Sequence, residues 1–535
     1  MAPGDPAAET SARTETGRIA RAVGILSGAT MLSRVLGFVR DVVTASYFGA
    51  GGAMDAFLVA FRLPNMLRSL FAEGSLTVAF VPVFVETLET RGRARADELG
   101  RLCFTLLGAV LLAVSAAGVL GAPLLVKALA WGFTQEPEKF DLTVQLTRVV
   151  FPYIGLIGLT ALAGGMLNSL GDFASPALAP VVLNVAMIAA VVGLSPFTDP
   201  PVRSAAYGVV AGGVLQLWVQ WRSLRVRGFA FRLAWDWRDA AVRRILRLLG
   251  PRVFGVGVYQ VNIFVSTLLA TWLPDGSVSY LYYAERLFQL PLGVFAVAAG
   301  TAALPSLSRL AARNDLPGLR ETLGETLRMT GFIVVPAAAG LLVLSQPILT
   351  VLLERGSFTP EMTRATAQAL AFYALALIPV AGVKVVVPAY YALHDMRTPV
   401  WAAFWALALN VVASLLLMGP LRHAGLALAS ALSNGLNLAY LLWHLRGRAG
   451  PLPYRRLAGS FLRMGGAALA MTALVGAGSL WVDWGGNRAA AAGALAALIG
   501  LGAGAYLGTA HLLGLHDAAR LSGALARRLG RRRVA

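Results

Sequence analysis

The chain has 535 residues, of which 57% are hydrophobic and only 14% charged, with a mean hydropathy of +0.67. A soluble domain of this length needs far more charge to cover its surface, so the composition describes an all-α polytopic membrane protein instead. The formal net charge of +19 would suggest nucleic acid in a soluble protein, but the way it is distributed along the chain argues against that partner.

Residues 1–19 are small, polar and rich in alanine and threonine, and are expected to form a disordered cytoplasmic lead. Apolar runs near the ~20 residues that cross ~30 Å of hydrocarbon then recur along the whole chain. Fourteen spans can be marked, at 20–48, 55–85, 102–126, 143–167, 175–195, 204–221, 248–272, 279–307, 329–352, 366–392, 398–418, 423–443, 460–482 and 489–513. The first is too long for the apolar core of a signal peptide and is expected to stay uncleaved. GAGG at 49–52 reads as a turn between the first two spans rather than a phosphate cradle.

The connections alternate between arginine-rich and arginine-poor. The rich set is the N-terminus, 86–101, 222–247, 309–328, 444–456 and the tail from Arg520; the opposite set carries only isolated bases such as Lys127, Lys139, Arg203, Arg422 and Arg488. This positive-inside pattern places both termini in the cytoplasm, as the even number of spans also requires.

The halves of the chain echo one another at a shift of about 223 residues. SRVLGF (33–38) matches PRVFGV (251–256), and DAFLVAFRLPN (55–65) matches SYLYYAERLFQLP (279–291). AFVPVF (79–84) matches AALPSL (302–307), PLLVKALAWGFTQEPE (123–138) matches PILTVLLERGSFTPEM (347–362), and LGDFASP (170–176) matches LHDMRTP (393–399). Five matches in one order at a nearly constant offset indicate a duplication. With six spans per repeat, the copies share orientation and are expected to be related by a pseudo-two-fold axis along the membrane normal, as in alternating-access transporters. The expected organisation is an N-lobe at 20–221, a basic cytoplasmic linker at 222–247 and a C-lobe at 248–443. Two added helices follow within 444–513, then a basic tail at 514–535.

Charges inside the spans are the functional signal. Arg34, Arg40, Arg62, Arg68, Arg148, Arg252, Arg286 and Lys384 lie in or near spans, against only Asp41, Asp55, Glu73 and Glu285. Each cation at a helix centre costs roughly 2.5–3.5 kcal/mol, so four in the first two helices imply about 10 kcal/mol unless they line a hydrated cavity. Snorkelling near span ends and pairing with a carboxylate are the simpler alternatives. At 100° per residue Arg34, Gly37 and Asp41 share one face of helix 1, with Arg40 beside it, and Gly37 allows a bend or close approach there. Asp55, Arg62, Asn65, Ser69 and Glu73 fall within an arc of about 80° on helix 2, distorted by Pro64. An arginine-dominated face suits an anion, because the guanidinium fork pairs bidentately with phosphate; a diphosphate is the expected ligand class. Prolines at 64, 82, 152, 291, 305, 336, 379 and 388 supply sites at which spans can bend.

No Walker loop is present, and the five histidines, His394, His423, His444, His511 and His516, lack metal spacing. The single cysteine, Cys103, permits no intramolecular disulfide and no thiolate cluster. A membrane phosphatase or glycosyl polymerase would need a catalytic acid, base or nucleophile that this carboxylate-poor face does not offer. No cofactor is expected.

SRVLGFVRD, DAF-x-VAFRLPNMLR-x-LFAEGS and AFVPVF, with YYAERLFQLPLGVF, LLERGSFT and AYYAL-x-D-x-RTPV, resemble the MurJ/MviN family of lipid II flippases, from about residue 20 to 510. The family belongs to the multidrug/oligosaccharidyl-lipid/polysaccharide flippase superfamily. The resemblance implies two six-helix lobes and two extra helices forming a groove for a polyprenyl tail. It also implies passage of an undecaprenyl-diphosphate-linked peptidoglycan precursor from the inner to the outer leaflet of the cytoplasmic membrane, in company with membrane lipids and the peptidoglycan synthesis machinery. Matched by motif, the cavity cations are Arg34, Arg40, Arg68 and Arg286, joined by Arg62 where lysine is common and by Arg252 through the internal repeat. Asp41, Asp55, Asn65, Glu73, Glu285, Gln289 and Lys384 are the polar or gating positions. Gln289 departs from the family, standing where a carboxylate often follows the second-lobe arginine; Glu285 is the nearest acid that could replace it. Membrane potential or a coupling ion is the expected energy source. A flippase for another polyprenyl-diphosphate oligosaccharide is the alternative within the same class.

Overall fold

The structure, a computed structural model, describes residues 6–71 and 75–515, with the side chains of 6–23, 63, 67–71, 75–78, 250–261 and 294–295 outside the description. It contains helices and no strand among the described residues. The expected spans fall largely on helix, but 55–85 is divided between two helices, as is 279–307, and among the described residues eight helices are long and apolar enough to cross a membrane. The chain divides into two compact units, Met1–Asp275 and Gly276–Ala535.

The first unit holds α1 (Pro6–Phe48), α2 (Gly52–Phe71), α3 (Ser75–Leu120), α4 (Ala122–Leu129), α5 (Pro137–Val150), α6 (Tyr153–Ser169), α7 (Ala174–Leu194), α8 (Arg203–Val226) and α9 (Ala240–Ala270). α1 takes in residues from Pro6 onward, where alanine and glutamate are good helix formers. α3 is two helices joined at Gly92, whose φ of 78° breaks the helical run. α7 and α8 approach closely because α8 carries glycines at the contact: a Cβ on Gly208 would stand 3.0 Å from the Met187 Cα, and one on Gly212 2.6 Å from Leu183. The core of this unit gathers Phe80, Phe84, Leu99, Phe104, Met166, Phe229 and Ile245 from α3, α6, α9 and the segment before α9. α9, which the repeat assigns to the second lobe, packs here against α2, α3 and α4.

The second unit holds α10 (Ser277–Pro291), α11 (Val297–Ala312), α12 (Leu316–Val343), α13 (Ser345–Leu352), α14 (Pro360–Ala392), α15 (Arg397–Ala449), α16 (Tyr454–Ser479) and α17 (Arg488–Leu512). Pro291 ends α10 and the chain passes through a π turn, Leu292–Ala296, before α11, as a missing N–H and a wider turn together allow. α15 joins the two expected spans at Arg422, which has φ 51°. α14 is central, touching α10, α11, α12, α13 and α15. α16 and α17 pack on each other and on α12 through Phe332, Met464, Met471, Leu498 and Tyr506. Large apolar side chains such as Leu120, Phe197, Leu416, Leu480 and Trp481 are exposed, as expected of helices whose outer faces meet lipid.

Candidate functional site

In α1 the sequence places Arg40 and Asp41 side by side, and the fold makes them one buried network. The Arg40 Nη2 donates to the Asp41 Oδ1 at 2.7 Å and Nε donates to the same oxygen at 3.1 Å. Arg40 Nη1 donates to the Asn184 Oδ1 of α7 at 3.1 Å, and Asn184 Nδ2 donates to the Ser33 carbonyl at 3.1 Å. The side chains of Arg40 and Asp41 are only 12% and 8% exposed. A carboxamide is the right bridge here, because it accepts from the guanidinium while donating to the helix backbone. Gly37 faces the same asparagine, where a Cβ would stand 3.5 Å from Asn184 Nδ2, so an added methyl group would make ordinary contact. Asn184 escaped the sequence reading; its signal was a polar residue alone within the apolar span 175–195. Arg34, one turn and a half earlier, is exposed, as is Arg148.

On α2, Asp55 is buried and Arg62 and Asn65 are half-buried. The Arg62 Nε is buried with no hydrogen-bond partner among the described residues. Asp55 does not stand alone: the Lys139 ammonium of α5 lies 3.8 Å from its Oδ2 and is also ion-paired with Asp275. The same ammonium sits 4.2 Å from the centre of the Phe133 ring. Lys139, read from sequence as an isolated loop base, is therefore buried between two carboxylates and an aromatic face, all within the first unit. Such a group needs compensation on every side, because burying an unpaired ammonium is costly.

In α10, Arg286 Nη2 donates to the Tyr282 hydroxyl at 3.2 Å and the guanidinium lies 4.8 Å from that ring's centre. Gln289 Nε2 donates to Glu285 Oε1 at 2.9 Å. Each pair is spaced i, i+4, so the two lie on neighbouring stripes of one helix. Gln289 is thus held by the nearby acid, and Tyr282 is the aromatic platform that the sequence reading did not single out. Lys384 is exposed. Glu73 and the side chains of Arg68 and Arg252 lie outside the described residues.

The duplication is visible at the level of single bonds. Asp172 accepts from the amides of Ala174 and Ser175 and from the Ser175 hydroxyl, and pairs with Arg227 at 3.0 Å. Asp395 accepts from the amides of Arg397 and Thr398 and from the Thr398 hydroxyl, and pairs with Arg448 at 3.4 Å. The residue before each aspartate has positive φ, Gly171 at 79° and His394 at 57°. Both aspartates act at the start of the following helix, as a capping carboxylate does. Burial pushes the Asp395 carboxyl up, but the Thr398 amide and hydroxyl, the nearby Arg448 charge and the Arg397 amide outweigh it and hold the group below the usual carboxylate value. A folded-state value below the unfolded one means that Asp395 adds stability above about pH 4 and that this contribution is lost as pH falls through the folded value. Asp395→Asn is expected to lower the unfolding temperature at pH 7 and to flatten its decline on acidification, measured on detergent-purified protein between pH 3 and 7. An unchanged acid profile would show that other carboxylates carry it.

Among the described residues no group of three or more His, Cys, Asp or Glu could hold a metal ion. Guanidinium groups set in apolar helices are chemically suited to pairing with anions. The family model for the lipid II flippase MurJ matches residues 44–491. The chain is 37% identical over 516 residues, 94% of its length and 97% of the relative's, to a probable lipid II flippase MurJ of Vibrio cholerae serotype O1. It superposes with TM-score 0.75 and 26% identity on the solved structure of a lipid II flippase MurJ in an inward closed conformation, covering 94% of this chain and 99% of that one. At 14% identity and TM-score 0.63, an inward-facing multidrug resistance MATE transporter of the MOP superfamily shares the fold over 80% of this chain and 98% of its own. A duplicated all-α membrane fold, arginines inside its helices and similarity over nearly the whole length lead to one assignment: the chain belongs to the lipid II flippase MurJ family of transporters.

Proposed function

We propose that this protein carries lipid II, an undecaprenyl-diphosphate-linked peptidoglycan precursor, from the inner to the outer leaflet of the cytoplasmic membrane by alternating access. The observation that carries the reading is the set of guanidinium groups inside membrane helices of a flippase-family chain, Arg40 and Arg62 in the first unit and Arg286 in the second. Phosphate oxygens suit them, since the fork of an arginine pairs with two oxygens and keeps its charge at any physiological pH. The buried Nε of Arg62, which has no partner among the described residues, is the kind of donor that such an anion would satisfy. In this reading Arg34, Arg68 and Arg252 add to the cationic face, and an incoming diphosphate relieves the repulsion among them so that the lobes can close. The outer faces of α16 and α17 would run beside the polyprenyl tail, both termini would lie in the cytoplasm, and membrane potential would act on the cavity charges. The product would pass to the peptidoglycan synthesis machinery.

The test is leaflet-specific lipid II translocation in proteoliposomes. Arg34→Ala and Arg286→Ala are each expected to reduce it at least about ten-fold, the equivalent of one charge-assisted hydrogen bond of about 1.5–3 kcal/mol. Full translocation by both variants would sink the proposal.

A further inference from the structure

The connection between α8 and α9 is not a slack loop. Phe229 is buried against Phe104 with ring centres 6.0 Å apart, and Phe231 packs on Trp221 at 5.3 Å. The Ala234 amide donates to the Thr105 hydroxyl at 3.2 Å. At its far end Asp239 caps α9 through the amides of Ala241 and Val242 and is ion-paired with Arg95 of α3. Between these fixed points the strap turns Leu233, Trp235 and Trp237 outward, 81%, 65% and 58% exposed. Arg238 lies 5.2 Å from the centre of the Trp237 ring.

Beside the strap, at the Gly92 break in α3, is a groove of about 640 Å³ lined chiefly by Arg91, Arg95, Glu98, Arg101, Arg232 and Leu233. Four guanidinium groups face one carboxylate. Arg95 is taken up by Glu98 at 2.8 Å and by Asp239, whereas Arg91 and Arg232 are exposed and have no ion-pair partner among the described residues. The groove is thus cationic where it is open.

Its depth follows from the chain. Arg101 directly precedes the span 102–126, and Arg91 follows the span 55–85 by six residues, about 9 Å of helix. The polar headgroup layer is about 5–8 Å thick on each side of the hydrocarbon. The groove therefore runs from the hydrocarbon edge, at Arg101, across the headgroup layer to its outer rim, at Arg91, in the leaflet marked by the arginine-rich connections, and the strap is held beside its inner end by Phe104 and Thr105. Tryptophan prefers that layer, because its ring is apolar and its N–H is polar, and basic side chains there attract anionic lipid.

We propose that this groove and strap form a docking site for the headgroup of an anionic phospholipid, its phosphate against Arg91 and Arg232 and its glycerol and upper acyl region against Leu233, Trp235 and Trp237. The site lies wholly in the first unit and does not depend on which lipid-linked substrate the protein carries. A free phosphate would use the arginines but leave the aromatic pair unexplained, and the lipid accounts for both.

The test uses full-length protein purified in detergent and titrated with short-chain phosphatidylglycerol, with bound lipid counted by native mass spectrometry. Arg91→Gln/Arg232→Gln is expected to weaken binding of one phosphatidylglycerol molecule about ten-fold or more, since each base near a membrane surface contributes about a factor of five. Trp235→Ser/Trp237→Ser is expected to weaken the same molecule without changing the salt dependence of its binding. Phosphatidylcholine should not occupy the site. Arg91→Lys/Arg232→Lys should restore most of the binding, which separates loss of charge from misfolding. Unchanged phosphatidylglycerol binding in both the arginine and the tryptophan pairs would overturn the proposal. So would displacement of the lipid by equimolar inorganic phosphate, which would assign the groove to a free anion.

Discussion

Arg40→Ala is expected to abolish measurable lipid II translocation and to destabilise the first unit by about 3–5 kcal/mol, the usual cost of removing one partner from a buried ion pair. Two losses combine. The substitution takes a cation from the face proposed to meet the diphosphate, and it takes from the Asp41 carboxylate, which is nearly inaccessible to water, the guanidinium 2.7 Å away. It also removes the donor to Asn184 Oδ1, so the tie between α1 and α7 keeps only the asparagine's own bond to the Ser33 carbonyl. The two effects separate by experiment. Arg40→Ala/Asp41→Asn removes the carboxylate charge that Arg40 neutralises and should recover much of the thermal stability while leaving translocation lost. Arg40→Lys keeps the charge but not the fork that spans Asp41 and Asn184, and should fall between wild type and alanine in both measurements. If Arg40→Ala unfolds at the wild-type temperature, the network contributes no net stability, whatever happens to transport.

Lys139→Met is expected to be nearly as damaging to stability although it lies far along the chain from the Arg40 network. Methionine has similar length and no charge, so volume is roughly kept and the ion cluster alone is removed. Asp55, 1% exposed, would then sit in the protein without its ammonium. Removal of one member of such a cluster costs about 3–5 kcal/mol, whereas removal of a whole cluster can be nearly neutral. The double variant Lys139→Met/Asp55→Asn should accordingly unfold at a higher temperature than Lys139→Met. The reverse order, with the double variant the less stable, would show that Asp55 is stabilised by its other neighbours and that Lys139 serves Asp275.

These two residues also mark where reading the sequence succeeds and where it stops. Arg40 was legible because a charge in an apolar span stands against a uniform background, and its cost demands an explanation. Lys139 carried no such contrast: it lies in a connection of mixed polarity, where a base is ordinarily solvated. Its burial depends on Asp55, Phe133 and Asp275, which come from three separate places in the chain. Gln289 shows a milder form of the same limit. Its place three residues after Arg286 was plain in the sequence, but its bond to Glu285, and the placement of Arg286 over Tyr282 instead, follow from side-chain rotamers.

The sequence by itself determined the all-α membrane fold class, because membrane helices must satisfy their own backbone and expose apolar surface over a fixed length. The twin motifs LGDFASP and LHDMRTP were legible for a related reason: a capping aspartate acts on amides two and three residues away, within the motif itself. Only the tertiary structure decided that each aspartate also takes an arginine from the end of a later helix, Arg227 or Arg448. It alone decided that α9 packs against α2, α3 and α4, and that the arginine-rich linker is a pinned strap with its tryptophans outward. Local hydrogen bonds and hydropathy are written into neighbouring residues; long-range pairs depend on which helix faces meet, and that is settled only when the whole unit packs.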